Sequence, residues 1–254
     1  MPTLNYTTHG QKDNPAVLLL HGFMSCADQW MLNIETLSEQ FFLVNVELWG
    51  HGDSPTPSDK GAYSIDGYNQ QFEAIRQSLN IKHWHLIGQS YGAGVVLNYA
   101  QAYPNQTLKV VATNSRSAFG QLSAPAAEGN SASSKNPLAG NFELRDLPYH
   151  PIHARRFPEK VKKALVQKAD AMSRDAIRLG GRLGGQLNSI DLIDQLTTPV
   201  LITNGIYEKS FQSDIESLKN KYPSLKTVDL EGGHSVNKEA AEAFNEAVLE
   251  FFKQ

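Results

Sequence analysis

The sequence predicts an α/β fold, a mostly parallel, doubly wound sheet with helices on both faces. Short apolar runs alternate along the chain with longer amphipathic stretches, the pattern of parallel strands joined by crossover helices. Two of those stretches carry apolar residues three or four apart, so each lines one helical face. Between one apolar run and the next helical one stands Gly88-Gln89-Ser90-Tyr91-Gly92, the pattern of a sharp strand-to-helix turn.

In chain order, Leu4 to His9 reads as an edge strand that pairs antiparallel, followed by strands at Ala16 to Leu20 and Phe42 to Glu47. Ile65, Tyr68, Phe72, Ile75 and Leu79 mark a helix with one buried stripe. A strand at Trp84 to Gly88 leads into the Ser90 turn, and Val95, Val96, Leu97 and Ala100 lead out of it at helical spacing. Strands follow at Leu108 to Thr113, Val200 to Asn204 and Thr227 to Leu230, and Ala241, Phe244, Val248 and Phe252 mark a closing helix.

The regularity breaks between Ser117 and Leu196, where no strand pattern occurs. We read residues 1–116 and 197–254 as the core and 117–196 as an inserted cap. Ala124 to Asn141 is rich in Ala, Ser, Gly and Asn and reads as a mobile lid or a disordered segment. Pro158 to Ser173 has helical spacing at Val161, Leu165, Ala169 and Met172. The paired glycines of Leu179 to Leu187 weaken the helical reading there and point to close packing or a kink, because no strand and no Gly-Lys-Ser accompany them as a phosphate loop requires.

With 254 residues, the chain has the size of one large α/β domain with an insertion. A net charge of -3 and 19% charged residues give no basic stripe for nucleic acid. No apolar stretch is long enough to span a bilayer, and the start at Met1-Pro2-Thr3-Leu4 lacks the regions of a signal peptide, so the expectation is a cytoplasmic protein without a membrane partner. A single cysteine, Cys26, excludes an intrachain disulfide and reads as a small core filler. The state expected is a monomer or a homodimer.

A serine hydroxyl is a weak nucleophile until a base within hydrogen-bond reach takes its proton and an acid orients that base. In a doubly wound sheet these groups stand on loops at the carboxyl ends of different strands. Among eight histidines, only His234 lies in a glycine-rich loop, Glu231-Gly-Gly-His-Ser235, between the last strand and the last helix. The loop after Val200 to Thr203 lacks Asp but offers Glu208, with Asp214 and Glu231 as the competing carboxylates. Two backbone N–H donors must hold an oxyanion. Tyr91, after the nucleophile, and Phe23, in His21-Gly22-Phe23 after the first central strand, are the candidates. This chemistry calls for no cofactor and no metal.

His21-Gly22-Phe23, Gly50-His51-Gly52-Asp53-Ser54, Gly88 to Gly92, Gly205-Ile-Tyr-Glu208 and Gly233-His234, in that order, resemble the α/β-hydrolase fold superfamily from about Ala16 to the end. The resemblance implies a helical cap inserted after the sixth strand, and it makes the Gly-His-Gly-x-Ser segment a structural turn, so His51 has no catalytic role. It also implies acyl transfer, with a small carboxylic ester as the substrate. The chain departs from the family at Glu208, where most members carry Asp.

Two other chemistries use the same residues. Gly205 to Gln212 is similar to the corresponding segment of the menaquinone-pathway lyase that makes 2-succinyl-6-hydroxy-2,4-cyclohexadiene-1-carboxylate, whose triad acts as a base on an anionic substrate. Arg116 and the cap residues Arg145, His150, His153, Arg155 and Arg156 then read as a carboxylate clamp or as a solvated face. Hydrolysis of a carbon–carbon bond is a further possibility, and so is a non-catalytic ligand-binding protein on the same fold. Trp30, Phe119, Phe142 and Tyr149 are candidates to line the pocket or to sit in the core.

Overall fold

The computed structural model describes residues 3–120, 137–138 and 140–254. Seven strands, β1 (Tyr6–His9), β2 (Ala16–Leu20), β3 (Phe42–Val46), β4 (Trp84–Gly88), β5 (Thr107–Thr113), β6 (Val200–Gly205) and β7 (Lys226–Leu230), form one sheet in the order β1-β3-β2-β4-β5-β6-β7. Only β1 runs antiparallel, paired with β3 at the edge. The helices are α1 (Ile34–Ser38), α2 (Ile65–Ser78), α3 (Tyr91–Ala102), α4 (Arg116–Phe119), α5 (Glu159–Asp170), α6 (Arg174–Gly184), α7 (Lys209–Lys221), α8 (Val236–Glu239) and α9 (Ala241–Lys253).

The inner strands read as largely apolar runs because both faces of the sheet are covered, while the edge strands β1 and β7 are more polar and less buried. Alternation sends Leu18, Leu20, Val44, Leu86, Val110 and Ile202 to one core, which they share with Phe72 of α2, Val96 of α3 and Phe211 of α7. Their neighbours Val17, Leu19, Leu43, Ile87, Val111 and Leu201 point the other way and pack with Leu37 of α1 and Phe244 and Val248 of α9. The two amphipathic stretches recognised in the sequence therefore cover opposite faces. Strand order reverses between β2 and β4, and a crevice for ligand opens where such a reversal occurs, beyond the carboxyl ends of those two strands.

Among the described residues, no strand lies between β5 and β6. The long helical segment follows β5, the fifth strand of this chain rather than the sixth, because a single strand precedes β2 among the described residues. Residues 124–136 and 139 of the expected lid lie outside the described residues. Helix α6 runs through Gly180, Gly181 and Gly184, and close packing accounts for the first two: a Cβ at Gly180 would meet the Phe23 ring at 3.1 Å, and one at Gly181 would overlap the Leu138 side chain, whereas one at Gly184 would make only ordinary contact with Tyr91.

A side chain at Gly88 would overlap the carbonyl of Gly92, and one at Gly92 would lie 2.5 Å from the Leu20 oxygen and 2.6 Å from that of His21. The obstacles are backbone atoms, which cannot rotate away. At Gly94, on α3, the missing Cβ makes room for Leu187 of the long segment. Gly92→Ala is expected to cost about 1–3 kcal/mol, read as a lower urea midpoint; an unchanged midpoint would show that the turn can relax.

Candidate active site

Ser90 sits between β4 and α3 with φ 53 and ψ -115, a conformation that L-residues avoid and that costs about 1–3 kcal/mol when imposed. Its neighbours hold it there. The Ser90 amide donates to Thr113 Oγ1 at 3.1 Å, and the Gln89 amide donates to the Leu20 carbonyl at 3.0 Å, so β5 and β2 pin the turn from either side. The positive end of the α3 dipole lies at the same place.

Three loops meet at that turn. Ser90 Oγ lies 2.7 Å from His234 Nε2, and His234 Nδ1 lies 2.9 Å from Glu208 Oε1. The other Glu208 oxygen accepts from Asn114 Nδ2 at 2.7 Å, while Asn114 Oδ1 accepts from the Gly205 amide at 2.7 Å. Burial is the strongest single influence on the Glu208 carboxyl and pushes its pKa up. The hydrogen bonds from His234 and Asn114, together with the charges of His234 and Arg116, outweigh it and leave the pKa lowered. The histidine loop is clamped as well: its carbonyl accepts from Gln89 Nε2 at 3.2 Å, Gly232 O accepts from the Tyr207 amide at 2.9 Å, and the Glu239 carboxylate accepts from the Gly233 amide at 2.8 Å.

The competing carboxylates stand elsewhere. Asp214 faces Arg116 at 3.7 Å, and Glu231 is exposed.

Phe23 and Tyr91 both border the cavity above Ser90, and among the described residues neither backbone amide has a protein acceptor. Their rings stack 5.5 Å apart, and the Tyr91 hydroxyl donates to Gly180 O at 3.0 Å. Beneath this loop lie two buried histidines. His21 Nε2 accepts from the Leu48 amide at 3.0 Å and its Nδ1 donates to Gly22 O at 2.8 Å. His51 Nε2 accepts from the Met24 amide at 3.1 Å and its Nδ1 donates to Trp49 O at 2.9 Å. Each ring must stay neutral to accept a backbone N–H. Burial pushes the His21 pKa down to about 4, with the Lys238 charge adding to the effect, and the His51 pKa down to about 3. The Gly-His-Gly turn that carries His51 wraps the Glu47 carboxylate, which accepts from Ala27, Asp53 and Asn5.

The cavity encloses about 890 Å³ and is lined by Ser90, His234, Glu208, Arg116 and Tyr149 among others. Arg116 borders it with its side chain largely exposed. Trp30 is not on its wall, a correction to the sequence reading. The indole is 0% exposed and packs against Phe244 in the core on the α9 side, because the turn of 3₁₀-helix from Ala27 to Trp30 aims it under the sheet. Phe119 is likewise core. Asn114 carries no charge to mark it as part of a triad; the signal the sequence holds is its place at the carboxyl end of β5, the strand beside β6. Gln89, inside the turn motif, and Lys238, four residues beyond His234, carry no sequence signal that separates them from ordinary polar residues.

A family model described as the α/β hydrolase fold matches residues 15–241, and the chain belongs to that family. It is 27% identical over 110 residues to epoxide hydrolase 4 of Mus musculus, covering 43% of this chain and 31% of that protein. Over 102 residues it is 36% identical to the monoacylglycerol lipase abhd6-B of Xenopus laevis, covering 39% of this chain and 30% of that one. The aligned stretches thus span about a third of those relatives. Bromoperoxidase from Bacillus anthracis superposes with a TM-score of 0.82 at 20% identity, over 99% of this chain and 95% of that one. MenH from S. aureus gives 0.76 at 19%, over 100% and 98%. At such identities the likeness is one of fold.

The two buried histidines make stability depend on acid. Below pH 6.5 the unfolded chain protonates both, whereas the folded chain resists until about 4 and about 3. Stability is therefore lost as pH falls from 6.5, by up to about 1.4 kcal/mol per pH unit for each histidine. Thermal unfolding from about pH 7 to pH 4 should show a falling Tm, with a shallower slope in His51→Gln.

Proposed function

We propose that this protein is a serine hydrolase that cleaves a small carboxylic ester through an acyl-enzyme on Ser90. The observation that carries the reading is the unbroken chain of contacts from Ser90 Oγ to His234 at 2.7 Å and from His234 to Glu208 at 2.9 Å, open to a cavity of about 890 Å³. Ser90 Oγ attacks the ester carbonyl while His234 Nε2 takes the hydroxyl proton. Glu208 stabilises the imidazolium so formed and keeps Nδ1 as the protonated nitrogen. The negative charge on the carbonyl oxygen is met by the Phe23 and Tyr91 amides and by the α3 N-terminus. His234 returns its proton to the departing alcohol. A water molecule, deprotonated by the same nitrogen, then releases the acid and restores Ser90.

A second reading, base-catalysed elimination from an anionic substrate, is favoured by the arginines around the cavity, Arg116, Arg155 and Arg156, and by the likeness to MenH. In that chemistry His234 and Ser90 relay a proton and no acyl-enzyme forms. The two readings separate on covalent chemistry.

A fluorophosphonate probe is expected to label the folded protein and to fail on Ser90→Ala. p-Nitrophenyl ester turnover should fall roughly 10³- to 10⁴-fold in Glu208→Gln with the fold intact by circular dichroism. No labelling of folded wild-type protein would sink the acyl-enzyme. Release of pyruvate from the anionic menaquinone intermediate, without ester turnover, would establish the second reading.

A further inference from the structure

Lys238 is a buried charged group without an ion-pair partner among the described residues. It follows His234 by four residues on α8 and is 3% exposed on the cavity wall. Among the described residues, no carboxylate lies within ion-pair distance of its ammonium. The contacts are Gln29 Oε1 at 3.4 Å and the Phe157 ring, 4.9 Å to its centroid. Gln29 Oε1 is already engaged by the Gly22 amide at 3.2 Å. The titratable groups that act on Lys238 are Glu239 on its own helix and Cys26 and His21 on the loops packed against it. Glu239 spends its oxygens on the Gly233 and Ser235 amides, the Cys26 thiol is pushed up to about 12 by burial, and His21 is neutral. A buried ammonium so poorly matched is expensive, and burial pushes its pKa down to about 7.

Two further buried groups that line the same cavity lack a well-formed hydrogen bond. Ser25 Oγ is buried with no hydrogen bond. His150 Nδ1 accepts from the Ile152 amide at 3.2 Å, so the proton of the neutral ring is on Nε2, which is buried and makes no hydrogen bond. Asp170, 3.4 Å from that nitrogen, is held by two bonds from Arg145. Each of these groups can donate to an anion. The fixed charges of the lining run the same way, with Arg116, Arg155, Arg156 and Lys238 against two carboxylates, Glu208 and Glu239, both already hydrogen-bonded. A chain of net charge -3 thus carries a cavity of net positive charge.

We propose that Lys238, Ser25 and His150 form a subsite for a carboxylate, and that the substrate of the Ser90 centre is an ester bearing a free carboxylate remote from the scissile carbonyl. An ionised carboxylate only accepts hydrogen bonds, and its two oxygens offer enough lone pairs for the two spare N–H groups of Lys238, the Ser25 hydroxyl and the His150 N–H. Its single negative charge matches the single buried cation. A phosphate dianion would leave one charge uncompensated in the same place. Arg155 and Arg156, exposed at the mouth, draw an anion inward, and Lys238 is the group that holds it. The site also explains why the ammonium is there. The substrate supplies the counter-ion that the fold withholds.

This inference rests on the ester reading only for turnover; binding tests it separately. Mono-p-nitrophenyl adipate and p-nitrophenyl hexanoate have the same acyl chain length and differ in the terminal carboxylate. Wild-type protein is expected to prefer the adipate in kcat/KM by at least about tenfold. Lys238→Met should lower kcat/KM for the adipate about 10- to 100-fold more than for the hexanoate, with most of the change in KM. Ser25→Ala should shift the same ratio in the same direction by a smaller factor. Lys238→Met removes a buried charge and should keep or raise Tm, which shows that the loss is not one of folding. In parallel, adipate is titrated calorimetrically into Ser90→Ala and into Ser90→Ala with Lys238→Met. Binding to the first, weakened at least about tenfold in the second, supports the subsite even if neither ester is turned over, an outcome that would end the ester reading alone. Equal loss on both esters, adipate binding that is indifferent to Lys238, or tighter binding of inorganic phosphate than of adipate would overturn the proposal.

Discussion

The backbone at Ser90 is held in a conformation that costs energy, and much of the site is arranged around keeping it there. A positive φ at a residue with a side chain persists only when the surroundings over-determine it. Here the determination comes from the sheet: the ends of β2 and β5 supply the Leu20 carbonyl and the Thr113 hydroxyl that receive the Gln89 and Ser90 amides. It comes also from two glycines without which the carbonyls of Leu20, His21 and Gly92 would collide with side chains. Because the turn is pinned to β2, the loop that follows β2, with Phe23, has to pass beside it. The amides of Phe23 and Tyr91 reach the cavity through that common anchoring.

A second layer of buried polar groups fixes the loops that bear the other functional atoms. His21 and His51 act as neutral acceptors beneath the Phe23 loop, Asn114 bridges the Glu208 carboxylate to the Gly205 amide, and Gln89 and Glu239 hold the His234 loop. Such groups are costly when unpaired and specific when satisfied. They convert the sheet's rigidity into fixed positions for side chains on three separate loops. The exceptions are informative for the same reason. Lys238, Ser25 and His150 are buried polar groups left short of partners, and all three face the cavity.

Most of the scaffold was legible in the linear chain. Strands covered on both faces must be apolar at successive positions, which is why β2, β4 and β5 stand out as runs, and helices that cover a sheet must carry a stripe, which is why α2 and α9 do. The turn at Ser90, the loop at His234 and the absence of Asp near Glu208 were also legible, because each depends on glycines and polar residues at fixed places after strands. Helix α6 was harder. Its glycines argue against a helix by propensity, and only the Phe23 ring and the Leu138 side chain packed against Gly180 and Gly181 show why they are there.

What the sequence by itself determined is the order of strands and turns and the kinds of atom offered at the carboxyl edge of the sheet, since those follow from local periodicity and from glycine's lack of a side chain. Only the tertiary structure decided which of those atoms meet. Trp30 went to the core and not to the pocket, Asn114 became the partner of Glu208, and Lys238, in sequence an ordinary charge on a short helix, was buried beside the cavity. Each outcome depends on where a side chain points once distant segments have packed. The energy of a buried charge or an unpaired donor exists only after water has been removed around it.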